Sequence, residues 1–163
     1  MKRIILAASM LPFLCLANPC LFPVKPTDAV KAIDLKPIKV KTLKEDGKVK
    51  TIYQFRKESE FDDVNPVPPL TLQINTSKGS QCPEKMLLSF AQYENQSQLN
   101  QDNLNRAYAL YSLVTDNPLN VFENKLARLS EVQFFENTEK TVVKFSRYDA
   151  ISPSSGAVLE FHQ

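Results

Sequence analysis

Catalysis in this chain would depend on very few residues. There is one histidine, His162, so a nucleophilic triad would have to be built around it. The three glycines are scattered, and none lies in a glycine-rich loop that could cradle phosphate. The sequence contains neither a CxxC pair nor an HExxH motif, the typical spacings of zinc ligands. We therefore predict that the protein is not an enzyme and has no catalytic residue, cofactor or metal ligand.

Four carboxylates between residues 58 and 63 are the densest acidic group, namely Glu58, Glu60, Asp62 and Asp63. Paired carboxylates can bind a metal or transfer protons, but they need further ligands or a closed site. No histidine or cysteine lies near them in the sequence, which favours a solvated loop.

The first seventeen residues resemble an export signal. Lys2 and Arg3 precede an uncharged apolar run, Ile4 to Leu16, and Cys15 and Ala17 supply the small residues of a signal-peptidase site. The run is short for a membrane span, and no second apolar stretch follows. We predict a signal peptide at 1–17, a single exported domain at 18–163 and no membrane span. The expected location is the cell surface or the periplasm.

Cysteine usage fits an oxidising compartment. Cys15 would leave with the signal, so Cys20 and Cys82 remain and predict one disulfide. Closing a loop of about sixty residues would stabilise the fold by roughly 4 kcal/mol. The alternative is a lipid anchor on Cys20 or Cys15, but Pro19 and Leu14 occupy the preceding positions, where such anchors need a small residue.

Removing the signal also changes the charge. The whole chain has a formal charge of +2, and Lys2 and Arg3 account for it, so the exported domain is formally neutral. This gives no electrostatic case for binding nucleic acid. Residues 25–50 nevertheless contain eight lysines and four acids. They are interpreted either as a basic binding face or as a solvated strand surface whose lysines discourage edge pairing.

Alternation of apolar and polar residues predicts strands at both ends of the domain. Residues 38–42 and 49–55 alternate on either side of Asp46-Gly47, the strongest short signal for a β-hairpin. Residues 70–74, 141–148 and 157–162 also have strand character. The middle is ambiguous. Pro83-Glu84 is typical of a helix start, and residues 104–114 and 122–132 have helical spacing, yet 107–114 also alternates like a strand. Local pattern favours helix there.

With these features in place, the sequence resembles the subunits of chaperone–usher fimbriae, the type 1-like pilins. Four segments carry the resemblance: Cys20 to Val24, the strand at 70–74 before Cys82, the strand at 141–148 with its Arg147-Tyr148 pair, and the closing segment 155–163. Cleavage after Ala17 would leave two residues before Cys20. The expected subunit would then accept a strand from a neighbour without donating one.

The resemblance implies an all-β fold, an immunoglobulin-like sandwich that is possibly incomplete. It implies a structural or adhesive fimbrial subunit assembled by strand addition, with a periplasmic chaperone and neighbouring subunits as partners. The terminal strand for assembly would be formed by Val158, Leu159, Glu160, Phe161 and His162. The alternative is a periplasmic binding or inhibitor module without catalytic activity, with an α+β fold and helices in 84–135.

Overall fold

The computed structural model describes residues 24–57, 67–129, 134–137, 141–149 and 154–162. Within these ranges the chain forms seven strands and three helices. The elements in chain order are α1 (Pro26–Ala32), β1 (Lys39–Glu45), β2 (Lys48–Arg56), β3 (Leu70–Ser77), β4 (Pro83–Tyr93), α2 (Ser97–Thr115), α3 (Leu119–Ala127), β5 (Phe134–Asn137), β6 (Val142–Asp149) and β7 (Ser154–His162). The predicted signal at 1–17, Cys20 and the acidic residues 58–63 lie outside the described residues.

All seven described strands belong to one antiparallel sheet, in the order β1-β2-β3-β4-β7-β6-β5. Strands β1 to β4 form one meander, and β5 to β7 form a second. The two meanders join where β7 pairs with β4, from Lys85 opposite His162 to Tyr93 opposite Ser154. On its other side β7 pairs with β6. The strand that comes last in the chain therefore lies inside the sheet.

The β1–β2 hairpin closes through the predicted turn. Glu45 pairs with Lys48, so the turn consists of Asp46 and Gly47, and both have positive φ angles of 45° and 76°. Two consecutive residues with positive φ define the type I′ turn, whose twist matches that of the flanking strands. Glycine adopts this conformation without steric cost and aspartate tolerates it, so the hairpin follows from the local sequence.

One face of the sheet forms the core. A row of apolar side chains crosses five neighbouring strands in register, from Tyr53 through Leu72, Leu88 and Leu159 to Phe145. The last four of these side chains are fully buried. Because side chains alternate between the faces of a strand, the intervening residues point to the opposite face, which we call the outer face.

The helices cover the core face. In α2 the buried residues Asn103, Ala107, Leu110, Tyr111 and Val114 recur at helical spacing and so form one stripe. Phe122 of α3 packs on this stripe, with its ring centroid 5.0 Å from that of Tyr111 and 6.1 Å from that of Phe145. Ala29 and Ile33, from α1 and its C-terminal end, join the same core.

The fold is mostly β, and it is a single sheet with helices packed on it. This antiparallel strand content agrees with the predicted all-β class. The helices α2 and α3 agree with the α+β alternative. Two facing sheets, the hallmark of an immunoglobulin-like sandwich, are not present among the described elements. The predicted hairpin, the strand at 70–74, the C-terminal strands and the helical interpretation of 104–114 are confirmed.

The helix start predicted at Pro83-Glu84 is wrong, because this segment begins β4. Proline is compatible with the first residue of a strand as well as with the first turn of a helix. The next residues, Met86, Leu88 and Phe90, are buried at every second position, which is the period of a strand. The helices within 84–135 therefore begin only at Ser97.

Candidate functional sites

One group of partly buried polar side chains lies between the helices and the edge strand β5. We call Tyr111, Asn117, Lys125 and Glu136 the Glu136 cluster. The hydroxyl of Tyr111 donates to Glu136 Oε2 at 2.7 Å, and Asn117 Nδ2 donates to the Tyr111 hydroxyl at 3.1 Å. Asn117 and Lys125 also donate to the Glu136 carboxylate. Every member therefore hydrogen-bonds to another member.

The electrostatics of this cluster favour a structural role. Burial raises the pKa of the Tyr111 hydroxyl above its usual value, and the hydrogen bond to the Glu136 carboxylate raises it further. The phenol therefore remains protonated, donates to Glu136 and is a weaker acid than an exposed tyrosine. Lys125 lies 5.4 Å from the centroid of the Phe145 ring, so its ammonium is held between a carboxylate and an aromatic face. The cluster fastens α2 and α3 to β5.

A second polar group, the Arg56 cluster, joins β2 to α2 through Arg56, Asp102, Asn103 and Arg106. Both arginines form ion pairs with Asp102. The hydrogen bond from Arg106, at 2.8 Å, is the main reason that the pKa of Asp102 is lowered, and burial opposes it. Arg106 also donates to the backbone carbonyls of Ile33 and Asp34, at 2.6 and 2.7 Å. This cluster therefore anchors the chain after α1.

Asn103 is the buried amide of the Arg56 cluster and has no exposed surface. Its Nδ2 lies 3.2 to 3.3 Å from the carbonyl oxygens of Pro68, Pro69 and Ala91. It thus holds the segment before β3 against the end of β4. Sequence reasoning missed this residue. The available signal was an amide at a position of the α2 stripe that otherwise carries apolar side chains.

His162 is held within the sheet, where it lies beside Lys85 on β4 and Val142 on β6. Its Nε2 and the Lys85 ammonium both contact Oε1 of Glu160 on the outer face. Burial by itself would raise the pKa of Glu160, but the hydrogen bond and charge of Lys85, assisted by His162, outweigh burial and lower it. The neighbours of His162 in register are a lysine that is bound to Glu160 and a valine. Neither of them forms a nucleophile–histidine pair with His162.

The predicted assembly strand, Val158 to His162, lies inside the described sheet. These residues form most of β7, whose backbone pairs with β4 on one side and with β6 on the other. Val158, Glu160 and His162 are on the outer face, whereas Leu159 and Phe161 are buried in the core. The role of these residues in assembly stays a prediction, and the described sheet ends at β1 and β5 instead. The physical reason is the β4–β7 pairing, which connects residues about seventy positions apart and leaves no local trace in the sequence.

Cys82 is disulfide-bonded in the structure. It lies in the loop between β3 and β4, directly before Pro83. Its predicted partner, Cys20, lies outside the described residues, so the Cys20–Cys82 pairing remains a prediction.

The β1–β2 hairpin has a different character from the polar clusters. Six of the seven residues of β1 are exposed. Ile38, directly before β1, is 62% exposed and Val40 is 53% exposed. Lys39 and Lys41 point to the outer face, where Lys48 and Lys50 of β2 also lie. Within the described ranges none of these four lysine side chains forms a hydrogen bond or an ion pair.

No protein-family model, curated protein or solved structure significantly matches this chain. The described helices include none with the length and hydropathy needed to cross a membrane. Across the same residues, no three or more His, Cys, Asp or Glu side chains are grouped so that they could hold a metal ion.

Proposed function

We propose that the protein is an exported, non-catalytic binding module that recognises a partner protein through the β1–β2 hairpin. The observation that carries this proposal is the contrast in side-chain pairing. The carboxylates of the Glu136 and Arg56 clusters are bound by cations within the same cluster. The lysines of the hairpin and the exposed Ile38 and Val40 have no such partners in the described chain. An open, partly apolar edge strand is a typical site of strand addition.

The export part of the proposal is supported by the signal-like residues 1–17 and by the disulfide bond at Cys82. Fractionation of cells that make the protein, followed by N-terminal sequencing, tests it. We expect the mature chain outside the cytoplasm with Asn18 as its first residue. A cytoplasmic chain with free thiols would contradict export.

Site-specific photocrosslinking tests the binding surface. A photoreactive amino acid is placed at Val40, in the edge strand, or at Leu113, which is 43% exposed on α2. Both positions present an exposed apolar side chain, so Leu113 is the matched control. We expect a discrete adduct with another protein from position 40 and none from position 113. Equal labelling at the two positions, or no adduct at position 40, would count against the proposal.

The second candidate is a structural or adhesive subunit of a fimbrium, assembled by strand addition. The observation that favours it is the seven-residue edge strand β1, which pairs only with β2 among the described strands. The described sheet has seven antiparallel strands, and a constant-type immunoglobulin domain has the same number. An immunoglobulin-like fold is what this second candidate requires. The helices packed on the single sheet support the first candidate instead.

Copurification separates the two candidates. A fimbrial subunit with a vacant edge is expected to leave the periplasm bound to a chaperone or to a neighbouring subunit. A binding module is expected to be a stable monomer when purified alone. A monomer that unfolds cooperatively in the absence of any partner would exclude the vacant-edge subunit.

A further inference from the structure

The exposed side chains of β1 follow a pattern that an added strand would have to match. In an antiparallel or a parallel pair, side chains on the same face of two neighbouring strands lie side by side. On the outer face β1 presents Lys39 and Lys41, and on the core side it presents Val40, with Ile38 directly before the strand. Charged and apolar positions therefore alternate along the exposed half of the strand.

We propose that the partner element is an extended strand of alternating acidic and apolar residues, which adds to the free edge of β1. The proposal rests on the binding function assigned to the hairpin above. Acidic side chains of the added strand lie beside Lys39 and Lys41. Its apolar side chains lie beside Ile38 and Val40 and cover the two large hydrophobic side chains that this edge exposes.

Charge complementarity identifies this occupant. The second strand of the hairpin adds Lys48 and Lys50 to the same outer face, and Leu43 lies opposite Lys50 in register. Successive outer-face lysines of one strand are about 7 Å apart, the same interval as alternate residues of an added strand. In a parallel, in-register pair of two β1 strands, Lys39 and Lys41 would face their own copies, and these like charges oppose that pairing. The lysines that disfavour self-association thus favour an acidic strand.

The register at the far end of β1 limits the length of the contact. Glu45 and Asp46 close the hairpin and place two carboxylates beside the turn. Acidic residues of an added strand are repelled there. Leu43 lies on the outer face and Lys44 on the core side, so the alternation ends before these carboxylates and the favourable stretch runs from Ile38 to Thr42. We expect the recognised segment to contain about five residues.

A peptide titration tests the proposal directly. The probe is a nine-residue peptide of alternating valine and glutamate, with blocked ends, and the matched control replaces every glutamate with lysine. We expect the purified domain to bind the acidic peptide and to reject the basic one. Every second amide of residues 39–43 is expected to become protected from hydrogen exchange when the acidic peptide is bound. These are the amides that point away from β2, and an added strand would bond to them.

A charge swap separates specificity from folding. In the variant K39E/K41E we expect the affinity for the acidic peptide to fall about tenfold or more and the preference to switch to the basic peptide. The control K25E/K31E makes the same change of net charge at exposed lysines beside and within α1. It should bind the acidic peptide as the unmodified domain does. A switched preference requires a folded hairpin and so excludes unfolding as the cause.

Backbone methylation tests the hydrogen bonds. Two further acidic peptides carry N-methyl groups on alternate amides, one on each of the two possible sets. Only one set faces β1 in an added strand, so we expect one peptide to lose binding and the other to retain it. If the two N-methylated peptides bind equally, the inference of strand addition is wrong. If a sulfated polysaccharide displaces the acidic peptide and the β1 amides are not protected, this edge binds anionic polymers and the inference is also wrong. If no peptide binds but the photocrosslink from Val40 still forms, the proposal of an acidic added strand is wrong. The proposal that the protein is a binding module is then retained.

Discussion

The two edges of the sheet differ in how their side chains are used. At the β5 edge, Glu136 is bound by Tyr111, Asn117 and Lys125 from the helical layer. At the β1 edge, no side chain of Lys39–Glu45 forms a hydrogen bond or ion pair within the described residues. Both edges end the same sheet, so their difference cannot come from backbone pairing. One edge is tied to the helical layer by these side chains, whereas the side chains of the other have no partner among the described residues.

The largest expected loss of stability follows from a substitution in the core beneath the β5 edge. Phe145 is fully buried and its ring contacts those of Tyr111 and Phe122. We expect Phe145→Ala to lower the free energy of unfolding by about 3–5 kcal/mol, because it leaves a cavity. The control is Phe135→Ala, at a side chain that is 66% exposed on β5. Urea unfolding followed by circular dichroism measures both. Equal losses would contradict the described burial.

The second-largest expected loss of stability is tested by replacing one glutamate in each edge strand. Glu136→Ala removes the carboxylate that binds Lys125 and accepts from the Tyr111 hydroxyl. We expect a loss of about 2–3 kcal/mol, because half-buried polar groups lose their partners. The matched change Glu45→Ala on β1 should remain within about 0.5 kcal/mol of the unmodified protein. Similar values for the two variants would show that the edges do not differ.

A smaller effect separates the hydrogen bond of Tyr111 from its packing. Tyr111→Phe retains the ring and is expected to cost about 1 kcal/mol at neutral pH. The pKa of Tyr111 is raised by folding, so the unfolded chain loses this proton first when the pH increases. Its stabilising contribution is fully present below about pH 10 and declines above that value.

The pH dependence is measured by urea unfolding between neutral pH and pH 11. We expect the unmodified protein to lose stability above about pH 10 more steeply than Tyr111→Phe, by up to about 1.4 kcal/mol per pH unit. Tyr108→Phe, a change on the same helix, is the control and should retain the steep decline. Parallel curves for the unmodified protein and Tyr111→Phe would refute the raised pKa.

The smallest effect is expected at the β1 edge itself. Lys41→Gln changes an exposed side chain without partners among the described residues. We expect the free energy of unfolding to change by less than about 0.5 kcal/mol. In contrast, crosslinking from Val40 to the partner should weaken. A large loss of stability with unchanged crosslinking would assign the β1 lysines to folding instead of binding.

The parts of the fold that the sequence predicts are those governed by local rules. Asp46-Gly47 has the conformational preferences of its turn, and the flanking strands follow directly. The helical spacing around Tyr111 identifies α2 because one face of a helix must be apolar. The helix start predicted at Pro83 was wrong because proline suits the first residue of a strand as well as the first turn of a helix. The alternation from Met86 to Phe90 indicated a strand.

The candidate sites were less predictable because their members are far apart in the sequence. Glu136 meets Tyr111 across 25 positions, and Arg56 meets Asp102 across 46 positions. Neither spacing is a recognisable motif, and only the assembled sheet brings these residues together. The lysines of the hairpin could be seen in the sequence. Whether they form a binding face or a solvated surface depends on which strands are edges, and this depends on long-range pairing.

The position of β7 has a consequence for the order in which the domain forms. The β1–β4 meander can assemble from neighbouring segments, as can the β5–β6 hairpin. The two become one sheet only when β7, later in the chain than every other described strand, inserts between β4 and β6. Such non-local pairing is slow, because a long loop must close before its contacts form. We expect folding to be limited by this closing step, and a chain cut before Ser154 to leave β4 and β6 without the strand that joins them.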